Sequence, residues 1–184
     1  MRDSVAAALC AFLVLAAAAA SARADETLSP SWMHPDTAAK AVRMELVAGW
    51  NANNGALNYN GYYKGDMTIV VPLGWTVDVD FRNHDGMLPH SLVATRPFAP
   101  DKIPMQAGVG QLAIGKAYSV DPESGIMADH HDEVRFAARD AGQFWLICGV
   151  TGHALQGMWV KLGVDAQADG PHIAIADGAE PGWR

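Results

Sequence analysis

The chain has 184 residues with 13 basic and 20 acidic side chains, a formal net charge of −7. This balance excludes the basic surfaces that bind nucleic acid or anionic lipid. The length suits one domain with a sizeable core and leaves little room for a second.

Residues 1–24 read as an export signal. Arg2 supplies the positive start, positions 5–20 are an uninterrupted apolar run, and Ala22-Arg23-Ala24 offers the small-x-small pattern of a cleavage site. The alternative is a retained membrane anchor, because a spanning helix needs roughly 20 apolar residues. The run is alanine-rich, drives insertion weakly and so favours cleavage. The mature chain then begins at Asp25 and carries 11 basic and 19 acidic side chains over 160 residues, a formal charge of −8. A periplasmic or other extracytoplasmic location follows, with no membrane span once the signal is removed. Cys10 leaves with the signal, so Cys148 is the only thiol of the mature chain and no internal disulfide can form. A single thiol in an oxidising compartment calls for deep burial or a bound metal.

Beyond the signal, Asp36 is placed to cap a short helix through Thr37, Ala38, Ala39 and Lys40. From position 41 onward the pattern is one of short strands. Val42, Met44 and Leu46 alternate with Arg43 and Glu45, and Met67 and Ile69 flank Thr68. Trp75, Val77, Val79 and Phe81 alternate with Thr76, Asp78 and Asp80. Val134-Arg135-Phe136 and Met158-Trp159-Val160-Lys161-Leu162 repeat this period of two, and the stretch from Phe144 to Cys148 is apolar on both faces, as an interior strand is. Asn53-Asn54-Gly55, Asn60-Gly61, Pro72-Leu73-Gly74, Asp85-Gly86 and Ala141-Gly142 supply turns between these runs. Many short strands at this spacing predict an all-β, antiparallel sandwich or barrel. Residues 96–132 form a long excursion with Pro and Gly, an insertion or lid before the last strands. Residues 166–184 are rich in Ala, Asp, Gly and Pro and are expected to be a loosely ordered tail on a domain spanning residues 25–165.

Between two of the strands lies Cys148-Gly149-Val150-Thr151-Gly152-His153-Ala154-Leu155-Gln156-Gly157-Met158, which reduces to C-x4-H-x4-M. A thiolate, an imidazole and a thioether therefore emerge from one glycine-rich loop. Soft sulfur donors with imidazole select copper, and two His, one Cys and a weak axial Met are the ligands of a blue-copper centre. The second imidazole must come from elsewhere. His90, in Pro89-His90-Ser91-Leu92-Val93, opens an apolar strand and can face the Cys148 loop; its rival His84 lies beside Asp85-Gly86 in a turn that points to solvent. His130-His131-Asp132-Glu133 is a further run of metal-type side chains, for which composition favours a solvated loop over a second metal site.

With these residues in view, the chain resembles the cupredoxin superfamily and, within it, the sulfocyanin and rusticyanin branch. The likeness rests on Asn58-Tyr59-Asn60-Gly61, the stretches at 66–72 and 74–75, Leu88-Pro89-His90-Ser91-Leu92-Val93 and the loop from Cys148 to Trp159. The resemblance implies a Greek-key β-sandwich and one type 1 copper held by His90, Cys148, His153 and Met158, choosing His90 over His84. It implies that Ser91 ties the first histidine's loop to the Cys148 loop by hydrogen bonding. It further implies a one-electron carrier whose partners are redox proteins such as cytochromes or a terminal oxidase. The alternatives are a copper carrier or buffer, and the electron-donating copper subunit of an oxidase or reductase. Trp145, Ile147, Leu155 and Trp159 are expected to keep water from the metal. Enzymatic use by this chain is disfavoured, because Cys148 is flanked by Ile147 and Gly149 and no His-x-His pair is present.

Overall fold

The computed structural model describes residues 26–184; the expected export signal, Cys10 and the expected new N-terminus at Asp25 lie outside the described residues. Ten strands form: β1 (Glu26–Leu28), β2 (Met33–Asp36), β3 (Ala41–Ala48), β4 (Met67–Pro72), β5 (Thr76–Asn83), β6 (Val93–Thr95), β7 (His131–Ala137), β8 (Gly142–Ile147), β9 (Trp159–Asp165) and β10 (His172–Ile175). They make a six-stranded sheet, in the order β1-β10-β4-β9-β8-β6, and a four-stranded sheet, in the order β2-β3-β5-β7. The all-β sandwich expected from the period-two runs is present, but its sheets are mixed rather than antiparallel. β3 pairs parallel with β5, and β4 pairs parallel with β9. Each of these pairs is joined by a connection that crosses to the other sheet, so neighbouring strands run the same way.

The alternation does what it implies. Val42, Met44 and Leu46 of β3, Val77, Val79 and Phe81 of β5, and Val134 and Phe136 of β7 are all buried. They meet Met67, Ile69, Val71, Phe144, Leu146, Val160, Leu162 and Ile173 of the other sheet in one main core. The opposite face of β6 and β8 carries a second, smaller core of Val93, Ala107, Ile147 and Ala154, packed by Phe98, Ile103 and Leu112. Three of these covering residues come from the excursion between β6 and β7, which is therefore a packed strap over the outer face of the sheet.

Two local expectations fail. No helix forms after Asp36; its Oδ1 accepts the Ala39 N–H at 3.0 Å, and Lys40, at φ 48°, closes a turn into β3. An Asp side chain that satisfies a backbone donor three residues on serves a turn as well as a helix cap. The tail is not loose either. β10 inserts between β1 and β4, Ile173 is fully buried, and Trp183 stacks on Trp50 at 4.4 Å while its backbone carbonyl accepts the Trp32 indole N–H. Composition weighs a tail by its average, whereas four residues of alternating burial and one indole are enough to dock it. Replacing Ile173 by Ala is expected to lower the unfolding free energy by about 2–5 kcal/mol. Urea denaturation checks this, and a loose tail would give a change close to zero.

Candidate metal centre

The parity of the strands places the site. On β8, Phe144 and Leu146 face the main core, and Cys148 continues that series one step past the end of the strand. On β9, Val160 and Leu162 face the same way, and Met158 precedes them by one step. Ile147 pairs with Trp159, so Cys148 and Met158 stand opposite one another, and the Cys148 N–H donates to the Met158 carbonyl at 3.0 Å. The Met158 N–H in turn donates to the His153 carbonyl at 3.0 Å, closing the loop on itself. On the neighbouring strand Leu92 and Ala94 face inward, and His90 lies in step with them. Period-two alternation on three adjacent strands thus aims His90, Cys148 and Met158 into one end of the sandwich.

The ligand-type atoms of His90, Cys148 and His153 lie within 4.8 Å of one another, the one such group of three among the described residues. Cys148 Sγ is 3.4 Å from His153 Nδ1 and 3.9 Å from His90 Nδ1. The two imidazoles are tilted by 52° with their centres 5.0 Å apart. His90 and Met158 are fully buried, Cys148 is 1% exposed and His153 is 7% exposed, so His153 alone presents an edge to solvent. Burial dominates the electrostatics. It pushes the Cys148 thiol up, against hydrogen bonds from Ser91 and Val150 that favour the thiolate. It pushes His90 down, against the attraction of Asp85, and takes His153 down to about 4 with help from the charge of His90. Without a cation these directions keep all three groups uncharged near pH 7, and two imidazole nitrogens and one sulfur converge inside the core.

Several groups hold this arrangement. The Ser91 N–H donates to Cys148 Sγ at 3.4 Å, and Ser91 Oγ accepts the Gly149 N–H at 2.8 Å, the tether that the family resemblance implies. The Tyr59 hydroxyl, entirely buried, donates to the Ser91 carbonyl at 2.5 Å. Asp85 accepts from His90 Nε2 at 3.0 Å and from the Met87 and Leu88 N–H groups. Burial alone would raise the Asp85 carboxyl, but these three donors outweigh it and hold the group below the usual carboxylate range. The strap grips both loops: Ala107 N–H donates to the Gly149 carbonyl, Gly152 N–H to the Met105 carbonyl, and Ile126 pairs with His90 in both directions. Gly149 is required here, since a Cβ on it would lie 2.0 Å from the Ala107 carbonyl oxygen.

His84 stays outside the cluster, with its N–H on the Ala48 carbonyl and its ring stacked on Trp50. His131, Asp132 and Glu133 begin β7 and are not a loop. His131 Nδ1 faces Asp80 Oδ1 at 3.4 Å, and Asp132 accepts the Val120 N–H at 2.6 Å. The water-excluding residues also differ from expectation. Trp145, Ile147 and Trp159 pack on the outer face, where the two indoles stack at 3.9 Å, and Leu155 is exposed; Leu92, Leu146 and Tyr59 line the inner side. Asp85 and Tyr59 were missed as supporting groups. An Asp five residues before a ligand-type His was the legible signal for the first, and nothing in the local pattern marked the second.

A β-sandwich with a His-Cys-His cluster and an apposed Met at one end defines the cupredoxin class. Within that class the chain belongs to the sulfocyanin family, whose family model, a sulfocyanin (SoxE) domain, matches residues 30–175. Sulfocyanin of Sulfolobus acidocaldarius is 31% identical over 139 residues, covering 74% of this chain and 69% of that protein. Rusticyanin of Acidithiobacillus ferrooxidans is 33% identical over 104 residues, covering 54% of this chain and 61% of that protein. A crystal structure of rusticyanin variants superposes with a TM-score of 0.51 at 21% identity, over 68% of this chain and 78% of that one, and so shares the fold.

Two outcomes follow for the metal-free protein. Replacing Ser91 by Ala leaves the buried Gly149 N–H without an acceptor and is expected to lower stability by about 1–3 kcal/mol in urea denaturation. His153 is held at about 4, below its value in the unfolded chain. The unfolded state therefore binds the extra proton first, and the contribution of this group to stability is lost as the pH falls from about 6.5 to about 4. Replacing His153 by a neutral residue is expected to flatten that part of the stability profile.

Proposed function

We propose that the protein is an exported one-electron carrier with a single type 1 copper held by His90, Cys148, His153 and Met158. The observation that carries this reading is the convergence of two imidazole Nδ1 atoms and one thiol sulfur at a buried point, opposite a buried methionine on the paired strand. Two His and one Cys alone also suit zinc, which takes nitrogen and thiolate donors in tetrahedral sites. A thioether in the fourth position, inside an apolar core, favours copper. The donor set therefore fits the metal that the cupredoxin class implies. Bound there, copper supplies a reversible one-electron couple in a coordination geometry suited to electron transfer.

The residues of the chain do the rest. Strands β8 and β9 fix Cys148 and Met158 on opposite sides of one backbone hydrogen bond, and the Ser91 N–H, donated to the sulfur, fixes it relative to the neighbouring His90. Met158 donates weakly, and the apolar surroundings of Leu92 and Leu146 exclude water, which together favour the lower charge state. His153 carries the solvent-facing edge and is where a partner makes its closest approach to the site. Cys148 has no flanking histidine to lead electrons to a second centre in this chain, which supports a shuttle over an enzyme. Its partners are other redox proteins, such as cytochromes or a terminal oxidase. No helix among the described residues is long and apolar enough to cross a membrane, and export rests on the signal-like residues 1–24.

Adding Cu(II) to the metal-free protein is expected to give an intense blue colour that the Cys148→Ser variant lacks; the same spectrum in both would remove the thiolate from the site. Met158→Leu is expected to raise the reduction potential and Met158→Gln to lower it, and voltammetry in which neither moves would exclude an axial methionine. Rapid reduction and reoxidation by a cytochrome separates a shuttle from a copper buffer. The exported protein is expected to begin near Asp25 on N-terminal sequencing.

A further inference from the structure

The two imidazoles of the site are not equivalent. His90, fully buried, turns Nδ1 toward Cys148 Sγ and Nε2 toward Asp85 Oδ2, 3.0 Å away; Asp85 lies on a loop at the core's edge and is 9% exposed. The Nε2 atom therefore carries the proton and Nδ1 offers its lone pair. Asp85 is held in place from all sides. Its Oδ1 accepts the Met87 and Leu88 N–H groups at 2.9 and 3.2 Å, and its own N–H donates to Asn83 Oδ1 at 2.9 Å. Asn83, fully buried, spends its amide on the carbonyls of Leu88 and Ile126, both at 2.9 Å. Gly49 packs beneath the loop so closely that a Cβ there would lie 2.8 Å from Asp85 Cβ. His153 has no carboxylate on its ring among the described residues.

A carboxylate fixed against the remote nitrogen of a ligand imidazole makes that imidazole a better donor and locks its tautomer and orientation. It also places a negative charge close to the metal with little water between, where electrostatic interactions are strongest. Both effects stabilise the more highly charged oxidation state. We propose that Asp85 is a positioning residue for His90 that selectively stabilises Cu(II), setting the reduction potential of this chain below what its four ligands and their burial alone would give. The inference rests on the copper reading above and adds to it a residue that no ligand motif contains. Asp85 thus opposes the axial methionine and the apolar surroundings, which favour Cu(I).

The test uses the copper-loaded full chain. Asp85→Asn keeps an acceptor oxygen for the Met87 and Leu88 N–H groups but removes the charge. Asp140→Asn removes the same unit charge from an exposed turn at the far end of β8 and serves as control. Asp85→Asn is expected to remain blue and to lose Cu(II) affinity by about 10–100-fold, with a smaller loss for Cu(I). Each tenfold difference between the two losses is a rise in midpoint potential of about 59 mV. A blue Asp85→Asn variant whose potential equals that of Asp140→Asn, or falls, overturns the proposal. Should the variant not fold, the wild-type Cu(I) protein decides by NMR. A His90 Nε2 proton resonance shifted far downfield, as a hydrogen bond to a carboxylate requires, supports the inference, and one at the position of the His153 ring proton overturns it. A wild-type protein that stays colourless with Cu(II) defeats the copper reading itself, and is distinguished from these outcomes by its spectrum.

Discussion

The structure is organised around the burial of a thiol and two imidazoles at one end of an apolar sandwich. Burial disfavours the charged form of each, so Cys148 is raised while His90 and His153 are lowered. Three groups that are each neutral near pH 7 expose their lone pairs to one another and to little else. A cation reverses that situation for all three at once, because it turns the thiol into a ligand and uses both lone pairs. The chain has accepted a poorly solvated cluster, and its neighbours are arranged for the charged state. Ser91 and Val150 hydrogen bonds favour the thiolate, and Asp85 favours a cationic neighbour.

Holding such a cluster requires that three separated segments move as one. Strand pairing alone joins β6, β8 and β9, but the functional atoms lie past the strand ends, where pairing stops. The strap between β6 and β7 supplies the missing constraint, because it hydrogen-bonds to Gly149, to Gly152 and to both backbone groups of His90. Gly125 contributes by letting the strap approach, since a Cβ there would lie 2.8 Å from the His90 carbonyl oxygen and its φ of +77° suits glycine. The tail acts on the other side. Trp183 stacks on Trp50, whose ring faces His84, the residue before Asp85. The first segment read by composition as an insertion or lid and the second as a loose tail, yet the first bonds the site's loops and the second reaches His84 through Trp50.

The ligand set was legible because it obeys local rules. Cys148, His153 and Met158 stand in one loop with recognisable spacing, whereas the shared face of Cys148 and Met158 emerges only from the strand register, because residues 144–148 are apolar on both faces. His90 needed the resemblance, since choosing it over His84 depends on which strand lies beside β8, and that pairing is not local. Sheet direction was misread for the same reason: the parallel pairs β3–β5 and β4–β9 arise from connections that cross between sheets, which alternation does not record. The indoles of Trp145 and Trp159, expected from their place beside the ligands to keep water from the metal, point outward instead. Only the strap, packed on the outer face, explains that second apolar face.

What distinguishes this site from its bare ligand set is asymmetry. His153 is the least buried of the four side chains and has no carboxylate partner among the described residues. His90 is fully buried and anchored to Asp85, whose carboxylate also accepts the Met87 and Leu88 N–H groups and whose own backbone N–H donates to Asn83. A carrier must exchange electrons at its surface without disturbing the couple it maintains. Placing the less buried imidazole on one loop and the carboxylate-anchored imidazole on another separates these requirements. None of the hydrogen bonds of the Asp85–His90 pair or of the Ser91 tether involves His153, so their geometry does not depend on what covers the His153 edge.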